Sequence, residues 1–207
     1  KDREKKLGID ESIEELEDII GSISEGSKRT AEIVRGLRNF SRLDEDDLKD
    51  ADLHDGLQNT LALLAPNLRD KVNVKTAFGA IPLVECFPGK VNQVFMNVLT
   101  NAIQATLVRT DITDREILVT TSCADDHVKI DISDNGVGMS EAVQARMFDP
   151  FFTTKPVGEG TGLGLAIVYG IIQDHHGRIH VESLPGAGTT VTILLPIRHA
   201  KAQQQRA

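Results

Sequence analysis

The stretch that most narrows the fold is 90–108, which carries two unlike faces at helical spacing. Val91, Val94, Phe95, Val98 and Ala102 fall on one side, while Lys90, Gln93, Asn97, Asn101 and Gln104 recur at steps of three and four on the other. A helix built this way must lay its apolar side on another layer, because burial of that stripe is what stabilises it. The polar side is the unusual one. A solvated helix face carries mostly Lys and Glu, whereas Asn forms helices poorly and belongs at caps and turns. Two mid-helix Asn therefore indicate either hydrogen bonds to neighbouring loops or a ligand that wants neutral amides. An amide oxygen can coordinate Mg²⁺ and its NH₂ can donate to phosphate, where a carboxylate would repel it.

The other elements supply the layer. Residues 54–64 have helical spacing and 72–78 read as a strand. Residues 117–123 and 127–133 read as a hairpin turning at Ala124, Asp125 and Asp126, with Val128, Ile130 and Ile132 alternating inward. Ser140 is placed to cap a short helix running to Met147, and an apolar helix extends from about Leu163 to His175. A closing hairpin, 178–183 and 189–195, turns at PGAG. Regular βαβ crossovers are missing. This order predicts an α/β (α+β) two-layer sandwich with a mixed, mostly antiparallel sheet covered by helices, and not a doubly wound parallel sheet.

Ahead of it, Ile13, Leu16, Ile20, Ile23, Ser27, Thr30, Val34 and Leu37 recur at alternating steps of three and four. Such a heptad stripe predicts one long helix over about 12–42, opened by a capping box of Ser12 and Glu15. Its narrowness favours a strand of an intermolecular bundle over a helix packed on its own domain. The charged run RLDEDDLKDADL then reads as a linker. The expected organisation is 1–49 as helix and linker, 50–197 as the main domain and 198–207 as a tail. With 207 residues there is room for one ordinary domain and a smaller appendage. The chain opens on a charged run without Met, which reads as a piece of a longer protein.

A formal net charge of −8 argues against a nucleic-acid partner, which needs clustered Lys and Arg. No stretch approaches about 18 apolar residues, so no membrane contact by this chain is expected. Cys86 and Cys123 sit in no metal or disulfide pattern, which fits a reducing, cytoplasmic setting.

Two glycine-bearing segments carry the remaining chemistry. The strand from His127 runs into DNGVG, where Asp134 could accept a hydrogen bond from an exocyclic amine such as that of adenine, and Gly136 and Gly138 would let backbone approach a flat base. An ordinary turn would carry the same residues equally well. In KPVGEGTGLGLA, Gly158, Gly160, Gly162 and Gly164 feed into a helix, offering free N–H groups and a positive helix end to an anion, unless the segment is simply a flexible loop. It matches neither the P-loop nor the G-x-G-x-x-G pattern.

Taken in order, NVLTNA, DNGVG, FDPFFTTK and GTGLGLAI resemble the nucleotide-binding boxes of histidine kinases in the GHKL superfamily of ATPases, and GAGTT, 186–190, resembles the last box of that set. The resemblance covers about Asp50 to Pro196. It implies ATP and Mg²⁺ as cofactors, with Asn97 as the metal ligand and Asn101 and Gln104 facing the phosphates. It implies Asp134, with Gly136 and Gly138, as the adenine reader, supported by Thr189. The segment between Phe148 and Gly164 is similar to the ATP lid, where Lys155 and the backbone of Gly160, Thr161, Gly162, Leu163 and Gly164 would close over the phosphates.

The stretch EGSKRTAEIVRGLRNFSRLDE resembles the second helix of the family's dimerisation and phosphotransfer hairpin. The first helix of that hairpin should carry the phosphoacceptor histidine. The first histidine here, His54, lies past the linker, so the acceptor is expected outside this chain, and no catalytic base is expected within it. His127, His175, His176, His180 and His199 read as ordinary residues, the pair 175 and 176 as a helix end. The expected activity is transfer of the ATP γ-phosphoryl group to that histidine and onward to a response-regulator aspartate. The expected partners are the chain's own dimerisation helix, a second copy and a receiver domain, in the cytoplasm or in the cytoplasmic part of a membrane-anchored sensor. The competing readings are another GHKL ATPase or serine kinase, and a catalytically silent dimerising scaffold.

Overall fold

The structure, a computed structural model, describes Ile20 and residues 47–68, 71–156 and 160–199. The expected heptad helix over 12–42 and the tail beyond His199 lie outside the described residues, apart from Ile20. The chain divides into two compact units, one of 43–152 with 162–207 and the other of 1–42 with Thr153–Thr161. All the elements below belong to the first.

In chain order these are β1 (Lys49–Ala51), α1 (Leu53–Leu68), β2 (Asn73–Phe78), β3 (Val84–Cys86) and α2 (Pro88–Val108). There follow β4 (Glu116–Ala124), β5 (His127–Asp134), α3 (Glu141–Gln144), α4 (Gly164–Asp174), β6 (Arg178–Leu184) and β7 (Gly188–Pro196). Five strands form one sheet in the order β2-β4-β5-β7-β6, and β1 pairs with β3 as a separate two-stranded ribbon. Within the large sheet β2 and β4 run parallel and every other pair is antiparallel.

The period-2 pattern explains the sheet. Ile117 and Val119 of β4, Val128, Ile130 and Ile132 of β5, and Val191, Ile193 and Leu195 of β7 are buried and meet one layer of helices. From α2 that layer receives Val91, Val94, Phe95, Val98, Leu99, Ala102 and Ile103, and from α4 it receives Val168, Ile171 and Ile172. The expected sandwich is therefore present. Pro88 in the first turn of α2, after an extended Phe87, fixes the start of that helix, since proline has no N–H to leave unbonded there.

Local details differ from expectation. Helix α3 stops at Gln144 instead of reaching Met147, and the side chain of Ser140 makes no capping bond to it. Ala124 pairs with His127, so Asp125 and Asp126 alone make the β4–β5 turn, with Asp125 at φ 51°. The β1–β3 ribbon has three-residue strands, too short to show a period.

Candidate functional site: an amide-lined helix and a carboxylate at a strand end

Helix α2 presents its five polar residues as a half-buried strip opposite its buried apolar face. Asn97 faces the first turn of α4: a β-carbon added at Gly164 would sit 3.6 Å from Asn97 Oδ1, an ordinary contact that leaves the amide beside the helix start. Asn101 and Gln104 continue the strip toward the helix end. The residue at the start of α4, Leu163, makes no side-chain capping bond to it.

Asp134 is the last residue of β5 and is paired across the sheet with Ile117 on one side and Thr189 on the other. Its Oδ1 accepts the Gly136 N–H at 2.8 Å, and the carboxyl also accepts the Thr189 N–H. Burial raises its pKa from the ordinary 3.8 to about 6, outweighing the two N–H donors, which favour the carboxylate. The glycines around it are needed for close approach. A β-carbon at Gly136 would lie 2.6 Å from the carbonyl carbon of Ala105, and the Val137 N–H donates to Ala105 O at 3.2 Å, so the loop lies on the last turns of α2. Gly138 at φ 65° and Gly188 at φ 99° are left-handed, and a β-carbon on either would collide with backbone, with Leu184 O and Asp134 O respectively.

The structure thus gathers Asn97, Asp134, Gly136, Gly138, Gly164 and Thr189 into one unit, with Asn101, Gln104, Gly162 and Leu163 in the same unit. Gly162 is left-handed at φ 66°, and its carbonyl accepts the Phe151 N–H at 2.9 Å. Lys155, Gly160 and Thr161 belong to the other unit and are described within it. There the Lys155 N–H donates to Thr153 Oγ1 at 3.2 Å, and a β-carbon on Gly160 would come within 2.7 Å of the same oxygen.

Other participants had no motif to announce them. The hydroxyl of Ser183 ties the site's hairpin together: it accepts the Met139 N–H at 2.8 Å, donates to Gly188 O at 3.0 Å and meets Thr189 Oγ1 at 2.9 Å. The side chain of Asn135 accepts from the Glu116 N–H and donates to Asp114 O, and Arg109 reaches the loop backbone. Single polar residues of this kind carry no spacing that a sequence could show.

Among the described residues no cluster of three His, Cys, Asp or Glu side chains could hold a metal ion. The donors on α2 suit a hard cation shared with phosphate, which takes neutral amide oxygens readily. His175 ends α4 and its Nδ1 lies 2.7 Å from Ile171 O, capping that carbonyl.

A five-stranded, mostly antiparallel sheet under one layer of helices is the architecture of histidine kinase catalytic domains. The chain belongs to the histidine kinase-, DNA gyrase B-, and HSP90-like ATPase family, whose profile matches residues 88–199. It is 45% identical over 127 residues to sporulation kinase E of Bacillus subtilis, an overlap of 61% of this chain and 16% of that protein. It is similar to the solved catalytic domain of histidine kinase ThkA, at a TM-score of 0.65 and 26% identity over 75% of this chain and 99% of that one. It is also similar to full-length ShkA in complex with AMPPNP, at 0.70 and 26% over 85% and 37%.

Proposed function

We propose that this chain binds Mg·ATP and presents the γ-phosphoryl group to a histidine on a dimerisation helix, for onward transfer to an aspartate of a response regulator. The observation that carries the reading is the half-buried Asp134 carboxylate at the end of β5, near two left-handed glycines and followed by a loop that lies on the last turns of α2. Asp134 accepts the exocyclic amine of adenine, Gly136 and Gly138 admit the flat base, and Thr189 supports it. Asn97 holds Mg²⁺, which when bound neutralises phosphate charge. Asn101, Gln104, Lys155 and the backbone from Gly160 to Gly164 contact the phosphates.

In the transfer the bond from the γ-phosphorus to the bridging oxygen breaks, a bond to an imidazole nitrogen forms, ADP leaves and the imidazole proton passes to a base beside the acceptor. The catalytic contribution of this chain is positioning and charge neutralisation, which suit phosphoryl transfer because little covalent chemistry is asked of the protein. The names of the relatives and the AMPPNP complex of ShkA support it. Partner copy, receiver domain and cytoplasmic placement follow from the same likeness.

The test is calorimetric titration of ATP, with and without Mg²⁺, into the wild-type chain and Asn97→Ala. Saturable binding that Mg²⁺ strengthens only in the wild type is expected. Absence of binding under both conditions would overturn the proposal in favour of a silent scaffold.

A further inference from the structure

We propose that Arg109 is a positioning residue for adenine recognition, holding the peptide between Asn135 and Gly136 in the one orientation that serves Asp134. The proposal rests on the reading of Asp134 as the adenine acceptor. Arg109 is the first residue beyond α2, in extended conformation at φ −75°, ψ 113°, so its side chain leaves the helix where the loop after β5 crosses it. Its Nη1 donates to Asn135 O at 2.8 Å and more weakly to Gly136 O at 3.4 Å. That first carbonyl belongs to the same planar peptide unit as the Gly136 N–H, which donates at 2.8 Å to Asp134 Oδ1. Because a trans peptide holds its C=O and N–H in opposite directions in one plane, fixing the carbonyl on one side aims the N–H on the other.

The guanidinium is itself held. Nε and Nη2 donate to the two oxygens of Asp111 at 3.0 and 3.3 Å, and the Arg109 side chain is only 17% exposed. A second arginine fixes the backbone it springs from: Arg115 donates through Nε to Thr106 O at 3.2 Å and through Nη2 to Arg109 O at 3.1 Å. A planar fork can serve a carbonyl and a carboxylate at once, which a lysine ammonium cannot do with the same geometry.

Arg109 acts through the peptide and not through its charge. The charged and titratable groups on the elements flanking Asp134 are Arg109, Asp111, Asp114 and Arg115 beyond α2, Glu116 on β4, His127, Lys129 and Asp131 on β5, and Arg178, His180 and Glu182 on β6, with none on β7. None of them is among the causes that set the Asp134 pKa, which are burial and the two backbone N–H groups. Loss of the clamp frees the Asn135–Gly136 peptide to rotate, removes one of the two donors that favour the carboxylate, and makes Asp134 protonate at higher pH.

The experiment measures ATP affinity by calorimetry from pH 5 to 8.5 for wild type, Arg109→Ala, Arg109→Lys, Asp111→Asn and Asp134→Asn, and compares each variant's midpoint with the wild type's, since titration of ATP itself is common to all. Binding by wild type is expected to fall off below a midpoint of about 6. In Arg109→Ala the midpoint moves up by about half a pH unit or more, so that affinity falls most between about pH 5.5 and 6.5 and only slightly at pH 7 and above. Arg109→Lys restores part of the loss, and Asp111→Asn, which loosens the fork without removing it, moves the midpoint less in the same direction. A purely structural arginine would lower thermal stability and leave the midpoint where it is, and an unmoved midpoint in Arg109→Lys and Asp111→Asn overturns the proposal even if Arg109→Ala does not fold. If Asp134→Asn binds ATP as well as wild type, the adenine reading fails and this proposal with it; if Asp134→Asn loses binding while the arginine variants keep the wild-type midpoint, only this proposal fails.

Discussion

Asp134→Asn separates function from stability in a way the burial of the carboxyl dictates. In the folded chain the carboxyl titrates at about 6 instead of 3.8, so between those values the native state holds a proton that the unfolded chain has released. Stability therefore falls as pH rises through that window, and above it the wild type carries the full penalty of a buried carboxylate. The difference corresponds to about 3 kcal/mol if the carboxyl met no water. Asp134 is only partly shielded, which screens the effect, and an Asn amide would set its NH₂ against one of the two N–H donors, so a net gain of about 1 kcal/mol is expected in the variant. At this chain length that is roughly 2–4 °C in Tm.

Thermal unfolding of the nucleotide-free chain at pH 4 and pH 7.5 checks it. The variant should match wild type near pH 4, where Asp134 is largely protonated in the folded state, and exceed it at pH 7.5, while ATP affinity falls roughly 10- to 100-fold with loss of a charged acceptor. A Tm difference that is the same at both pH values, or a variant less stable at pH 7.5, would refute the claim that burial of this carboxylate is costly.

Two further outcomes follow from the fold. Gly188→Ala should cost about 2 kcal/mol or more and weaken ATP binding, because φ 99° is strained for alanine and its β-carbon meets Asp134 O. Gly170→Ala, in mid-α4 with nothing within 4 Å of the added carbon, should instead raise stability by about 0.5–1 kcal/mol, and chemical denaturation of both variants reads the contrast. The neutral His175 ring accepts the Phe87 N–H at 3.1 Å through Nε2, and burial holds its pKa below the ordinary 6.5. The unfolded chain therefore takes up the proton first, and stability should drop as pH falls below about 6.5; in His175→Gln, Tm measured from pH 5 to 8 should lose that part of the slope, and an unchanged slope would exclude the residue as its source.

The sequence by itself determined what is local. The two faces of α2 were legible because a 3.6-residue period sorts Val94, Phe95 and Val98 from Asn97 and Asn101 whatever the helix packs against. The alternation of Val128, Ile130 and Ile132 announced β5 in the same way, and Asp134 with its glycines stood out because few backbones tolerate that combination. A capping preference was less reliable: Ser140 begins α3, and its carbonyl accepts the Val143 and Gln144 N–H groups, but its side chain caps nothing.

Only the tertiary structure decided who meets whom. Periodicity says which side of a strand is buried and not which strand lies beside it, so the parallel β2–β4 pair, and the β5–β7 register that puts Thr189 opposite Asp134, emerge from packing the whole sheet. The acidity of Asp134 likewise depends on burial and on an N–H delivered from the far end of the chain, and the reach of Arg109 to the Asn135 carbonyl exists only because α2 ends where the loop after β5 passes. Such contacts join residues distant in sequence through single hydrogen bonds, and a single bond leaves no repeating pattern along the chain.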